Sequence, residues 1–221
     1  YTLWHTLSLH DALPIWAWFD FGTGALGDMA VHNMDPAFYA LDLGAPVAVE
    51  AKTSALPRAT YPAWQIVTYE FAPGKMHGPL KVIWYDGGKM PPRPDAFDEG
   101  YTLPDNGIYF VGEKGVIQCG GWAGAPRLFP RRRRAEFEKP EKTIPRSPGH
   151  RAEWVQACKD GNPDMAKAGF WYSGPFTEAL LVGTLAIRLQ KRIEWDAEKM
   201  AARNVDASAL IRKTYRKGFG I

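Results

Sequence analysis

The sequence lacks the features that would place it at once in a specialised class. Cysteine occurs only at Cys119 and Cys158 in 221 residues, which excludes a disulfide framework. The longest apolar stretch, Ala179 to Leu189, is broken by Gly183, Thr184 and Arg188 and falls short of a bilayer span, so no membrane helix is expected. Charge of one sign is missing too: 27 Lys and Arg against 24 Asp and Glu leave +3, too little to call for a nucleic-acid partner. The histidines and cysteines have no zinc-ligand spacing, so no metal is expected, and no internal repeat is present. These absences leave the compartment undecided and small polar substrates open.

What is there reads as an ordinary globular chain. Hydrophobic residues make up 46% and charged residues 23%, and the length suits one sizeable domain. Aromatics at 13% fit either a well-filled core or an aromatic-lined sugar cleft. The first fifteen residues, YTLWHTLSLHDALPI, have no secretory pattern and resemble translated adapter sequence; they are read as a non-native leader, with 16–221 as the domain.

Apolar positions Leu26, Met29, Ala30, Phe38 and Leu41 recur at helical spacing from Gly24 to Leu43, with a bend or restart expected at Pro36. Strand character marks Val47–Ser54, Trp64–Phe71, Leu80–Tyr85, Gly107–Val111 and Val116–Cys119. Gly112-Glu113-Lys114-Gly115 predicts an antiparallel hairpin. The Pro- and Gly-rich stretch between Asp86 and Asp105 is long enough to cover a site. Ser147 and Pro148 predict the start of a helix reaching Lys159; a long apolar helix is expected over Pro175–Gln190 and a short one over Asp206–Tyr215. The order predicts an α+β domain, its sheet mostly antiparallel with helices on one face.

In GALGDMAVH, Asp28 and His32 are four apart and share a helix face, with Asp35 near it. Removing a proton from an alcohol near neutral pH suits a histidine, and a carboxylate beside it stabilises its charge. The spacing alone also describes an ordinary surface pair.

The stretch GTGALGDMAVHNMDPAF resembles the Asp-x-x-x-His helix that opens the substrate domain of Gfo/Idh/MocA oxidoreductases. WYDGG at Trp84–Gly88, IYFVGEKGVI at Ile108–Ile117, HRAEWVQACKDG at His150–Gly161, SGPFTEALLVGTLAIRLQKRIEWDAEKM at Ser173–Met200 and the closing YRKGF continue the resemblance in order, over nearly all of Trp16–Ile221. It implies a NAD- or NADP-dependent oxidoreductase acting on a sugar, cyclitol or related polyol, with Asp28 and His32 as the catalytic or substrate-orienting pair. It further implies that the dinucleotide sits mainly on a separate Rossmann domain, so that this chain alone is inactive, and that copies associate as a homo-oligomer through the sheet face. A NAD-dependent glycoside hydrolase of the same family, or a non-catalytic sugar-binding or scaffolding domain, are the alternatives.

Candidate substrate-binding residues are Trp84 and Asp86, which end a strand at the long loop, His150 at a helix start, and Tyr172 before the long helix. Each has a plain structural alternative in packing or capping. Gly22-Thr23-Gly24-Ala25-Leu26-Gly27 matches G-x-G-x-x-G by letter, but no strand precedes it in a βαβ unit, so it is not read as a nucleotide fingerprint. Glu138-Lys139-Pro140 repeats the family's lysine motif at the wrong end of the chain and is read as coincidence. Arg131–Arg134 reads as a solvated loop.

Overall fold

The computed structural model describes residues 15–219. The leader assignment falls outside them except for Ile15, which opens a short 3-10 turn, Ile15–Ala17.

The expected α+β architecture is present, and it is divided between two antiparallel sheets. The larger sheet is built from β1 (Ala48–Thr53), β2 (Gln65–Phe71), β3 (Leu80–Tyr85), β7 (Ile193–Asp196) and β8 (Ala201–Ala202), in the order β3-β2-β1-β7-β8. The smaller sheet is β4 (Gly107–Gly112), β5 (Gly115–Gly120) and β6 (Arg127–Phe129), in sequence order. The β4–β5 hairpin closes through Gly112 and Gly115, as its turn residues predict.

Strand β2 alternates strictly. Gln65, Val67, Tyr69 and Phe71 point inward, opposite Trp84, Val82 and Leu80 of β3 and Ala51 and Val49 of β1. On that inner face lies the long helix α5 (Phe170–Leu189), with α1 (Gly24–Asn33) packed beside it. Leu26, Ala30, Leu180, Val182, Ala186 and Ile187 fill the interface. Helix α2 (Asp35–Leu41) restarts after Met34, with Pro36 in its first turn, where a missing N–H costs nothing. The outer face of the larger sheet carries Glu50, Lys52, Glu70, Lys81 and Ile83 toward solvent.

Other expectations need correction. The Asp86–Asp105 segment folds onto the smaller sheet and shares a core there. Phe97, Val116 and Phe129 are buried together, with Tyr101, Leu103 and Tyr109 around them. Arg93 fastens the segment to itself, donating to the carbonyls of Phe97, Asp98 and Tyr101, and the Tyr109 hydroxyl donates to Pro92. The arginine run is a short helix, α3 (Arg132–Glu136), held by Arg131 against the Asp98 carboxylate and by Arg133 against the Lys114 carbonyl. Helix α4 (His150–Asp160) starts later than Ser147 suggests: Gly149 occupies the cap, and the Ser147 hydroxyl accepts from the Gly149 N–H and donates to Glu153. Helix α6 spans only Ser208–Ile211.

Candidate functional site

Helix α1 begins at a crowded place. Gly24 has φ +66°, and a Cβ there would lie 2.6 Å from the ring of Tyr61, so only glycine lets the helix start against that ring. A Cβ on Gly22 would lie 2.4 Å from the Trp16 carbonyl oxygen. The space beside this glycine run is filled by the protein's own atoms, and a 3-10 turn precedes it, not a strand. The run therefore does not fit a dinucleotide, which needs open backbone at the end of a strand.

The helix turns Leu26 and Ala30 into the core and, on the other side, Asp28 and His32 into solvent. They stand one turn apart on an exposed face, as their spacing requires. Asn33, the next residue, is only 4% exposed and its amide joins α1 to the smaller sheet. Its Nδ2 donates to Asn106 Oδ1 at 2.6 Å, and its Oδ1 accepts from the Trp122 backbone N–H at 3.4 Å. That bond brings the Trp122 indole beside the His32 imidazole, with ring centroids 6.2 Å apart and the planes tilted by 48°. Trp122 and Ala123 hold consecutive left-handed backbone angles, φ 54° and 55°, which for side-chain-bearing residues cost of order 1 kcal/mol each. The turn is tied by Gly124 N–H bonds to the Gly120 and Gly121 carbonyls, and a Cβ on Gly121 would meet Asn106 at 2.7 Å.

The other sequence candidates go elsewhere. Trp84 is buried in the core beneath the larger sheet, and its Nε1 donates to Asp86 Oδ2 at 2.6 Å. Asp86 also accepts from the Gln65 side-chain amide at 2.7 Å and the Gln65 backbone N–H at 3.1 Å. Burial raises the Asp86 carboxyl above the usual aspartate range, and these three donors pull it back. Trp84 and Asp86 thus form a knot closing the β2–β3 pair, the indole being unavailable for stacking on a sugar. Tyr172 donates its hydroxyl to Asp35 at 2.6 Å, fastening the start of α5 to α2. Burial, then Asp35, pushes the phenol far above its ordinary range. Asp35 is accordingly turned toward Tyr172. His150 is exposed at the first position of α4, a helix that packs chiefly on the 3-10 turn Pro163–Met165, and no hydrogen bond or ring contact joins it to α1. Glu138-Lys139-Pro140 lies in exposed chain between α3 and α4.

Of the six sequence candidates, the structure keeps only Asp28 and His32 together on an open face. Sequence reasoning missed Asn33, Asn106 and Trp122. The available signals were an asparagine on the apolar side of α1 and a tryptophan enclosed by glycines in Gly120-Gly121-Trp122-Ala123-Gly124. Among the described residues no group of three or more His, Cys, Asp and Glu side chains is placed to hold a metal ion, and no helix is long and apolar enough to cross a membrane. No protein-family profile matches the sequence, and no curated protein matches it.

Proposed function

We propose that the chain is the substrate-side domain of a NAD- or NADP-dependent oxidoreductase of the Gfo/Idh/MocA type, acting on a sugar, cyclitol or related polyol. The observation that carries this reading is the exposure of Asp28 and His32 one turn apart on α1, with the opposite side of the helix locked into the core. In this role His32 accepts the proton of the substrate hydroxyl, and Asp28, one turn away on the same face, orients the substrate. Both side chains ride on a helix fixed against α5, so their separation does not depend on a loop. Since the glycines at the start of α1 are filled by the protein's own atoms, the dinucleotide belongs on a separate domain in this reading, and the domain by itself does not turn over.

The test uses the protein translated from the full reading frame. His32→Ala should lower NAD(P)-linked oxidation of its sugar by about 10²–10⁴-fold, the usual worth of a positioned acid or base, with cofactor binding unchanged. Turnover equal to wild type would remove His32 from this role. Association of copies through the outer face of the larger sheet is part of the same proposal; sedimentation of the protein as a monomer would remove it.

A further inference from the structure

We infer that the Trp122 indole is the stacking wall of the substrate site, and that the site selects ring-shaped polyols, pyranoses or cyclitols, over open-chain ones. The inference deepens the reading above, and rests on it for the ligand being a polyol.

The argument starts from the cost of the geometry. Trp122 is 65% exposed, so its indole face is open to solvent beside His32. It is also held in a left-handed backbone conformation, followed by a second one at Ala123. Strained angles of this kind persist only where the surroundings over-determine them, and they gather at functional sites. Here the surroundings do so: the Trp122 N–H is taken by buried Asn33, whose amide is itself held by Asn106. The residue that anchors Trp122 is the next residue after His32. Imidazole and indole are therefore positioned by the same turn of the same helix, and the two rings lie 6.2 Å apart.

An indole face binds the C–H face of a pyranose or cyclitol by apolar contact at about 3.5–4 Å. A ring lying there keeps its edge hydroxyls within reach of the imidazole and the Asp28 carboxylate on the neighbouring helix face. An open-chain polyol has no flat C–H face to offer and gains little from the wall. Trp122 touches substrate in this assignment but moves no proton.

The experiment measures direct binding to the 221-residue protein without cofactor, by saturation-transfer NMR and titration with D-glucose, D-galactose and myo-inositol, and with glycerol as the open-chain probe. Wild type should bind at least one ring, and Trp122→Ala should weaken that binding by about tenfold while Trp122→Phe stays within about threefold. Glycerol should show no difference between the variants. Because the side chain is exposed, the thermal midpoint of Trp122→Ala should stay at the wild-type value, so a loss of binding is not a loss of fold. Equal binding by wild type and Trp122→Ala, or no binding of any ring, overturns the inference. If ring binding depends on Trp122 while His32→Ala leaves full-frame turnover untouched, the stacking wall stands and the catalytic assignment of His32 is the one that fails.

Discussion

The Tyr69 hydroxyl donates to the Leu180 carbonyl oxygen at 2.9 Å, reaching from the middle of β2 into the backbone of α5. Tyr69 is fully buried, so this bond satisfies a hydroxyl that would otherwise be stranded in the core, and burial pushes its phenol far above the ordinary range. Room for it comes from Gly183, one helical step away. A Cβ there would lie 2.1 Å from the Tyr69 oxygen and 2.7 Å from Leu26 of α1. One glycine thus sets how closely α5 approaches both β2 and α1.

Gly183→Ala should therefore destabilise by about 1–3 kcal/mol or more, through overpacking against β2 and α1 at once. Gly174→Ala, in the same helix but with nothing within 4 Å of its Cβ, should leave stability unchanged or raise it by up to about 1 kcal/mol. Urea midpoints of the two variants check the contrast. Equal effects would show that the close approach at Gly183 is not what limits packing.

Glu70, on the outer face of the larger sheet, bonds Arg192 at 2.6 Å and Lys81 at 3.0 Å. Arg192 first and Lys81 second lower its carboxyl from the ordinary 4.5 to about 2. A folded-state value below the unfolded one means that the stabilisation is complete above about pH 4.5 and disappears as the pH falls toward 2. Thermal midpoints measured across that interval should fall more steeply for wild type than for Glu70→Gln, and the gap should narrow with added salt.

Removing the Asp86 carboxylate strands the Trp84 N–H and the Gln65 amide together. Gln65 is itself buried, and its Oε1 has no hydrogen-bond partner, so it has no spare contacts on which to fall back. Asp86→Ala should cost about 1–3 kcal/mol, by the usual penalty for an orphaned buried donor. It should also blue-shift the fluorescence of Trp84, whose indole loses its acceptor. Wild-type stability in this variant would contradict the structural role.

Tyr172→Phe deletes a short bond to a carboxylate and should lower stability by about 1.5–3 kcal/mol. Asp35→Asn keeps an acceptor and should cost less. A phenol titration of Tyr172 in its ordinary range would show that the bond does not form in solution.

Much of the larger sheet was legible because its strands alternate over six or seven residues: Gln65–Phe71 and Leu80–Tyr85 were set almost to the residue. Strand β7 was not, since Ile193–Asp196 has only Ile193 and Trp195 pointing inward, too few to show a period. Helix α5 begins at Phe170, five residues before the Pro175 taken as its start. Proline favours a first turn, but here the surrounding helix absorbs the missing N–H. For the site, spacing along one helix exposed Asp28 and His32, whereas the Asn33–Trp122 contact spans 89 residues and leaves no local pattern. The residue types of the WYDGG motif suit sugar binding. Burial of Trp84 and the demands of three donors on Asp86 decided otherwise.

The two hydrophobic clusters share no residue, and no strand of the smaller sheet packs broadly on a helix or strand of the larger one. With its three buried core residues, the smaller sheet is expected to open more readily than the larger one, so amide exchange should be faster in β4–β6 than in β1–β3. Asn33 stands at the seam. With the smaller unit undocked, α1 would keep Asp28 and His32 in place while Trp122 drifted away from them. A ligand gripping both sides would bind only the docked fraction, so its apparent affinity would be tuned by residues far from it, in the Phe97–Val116–Phe129 core.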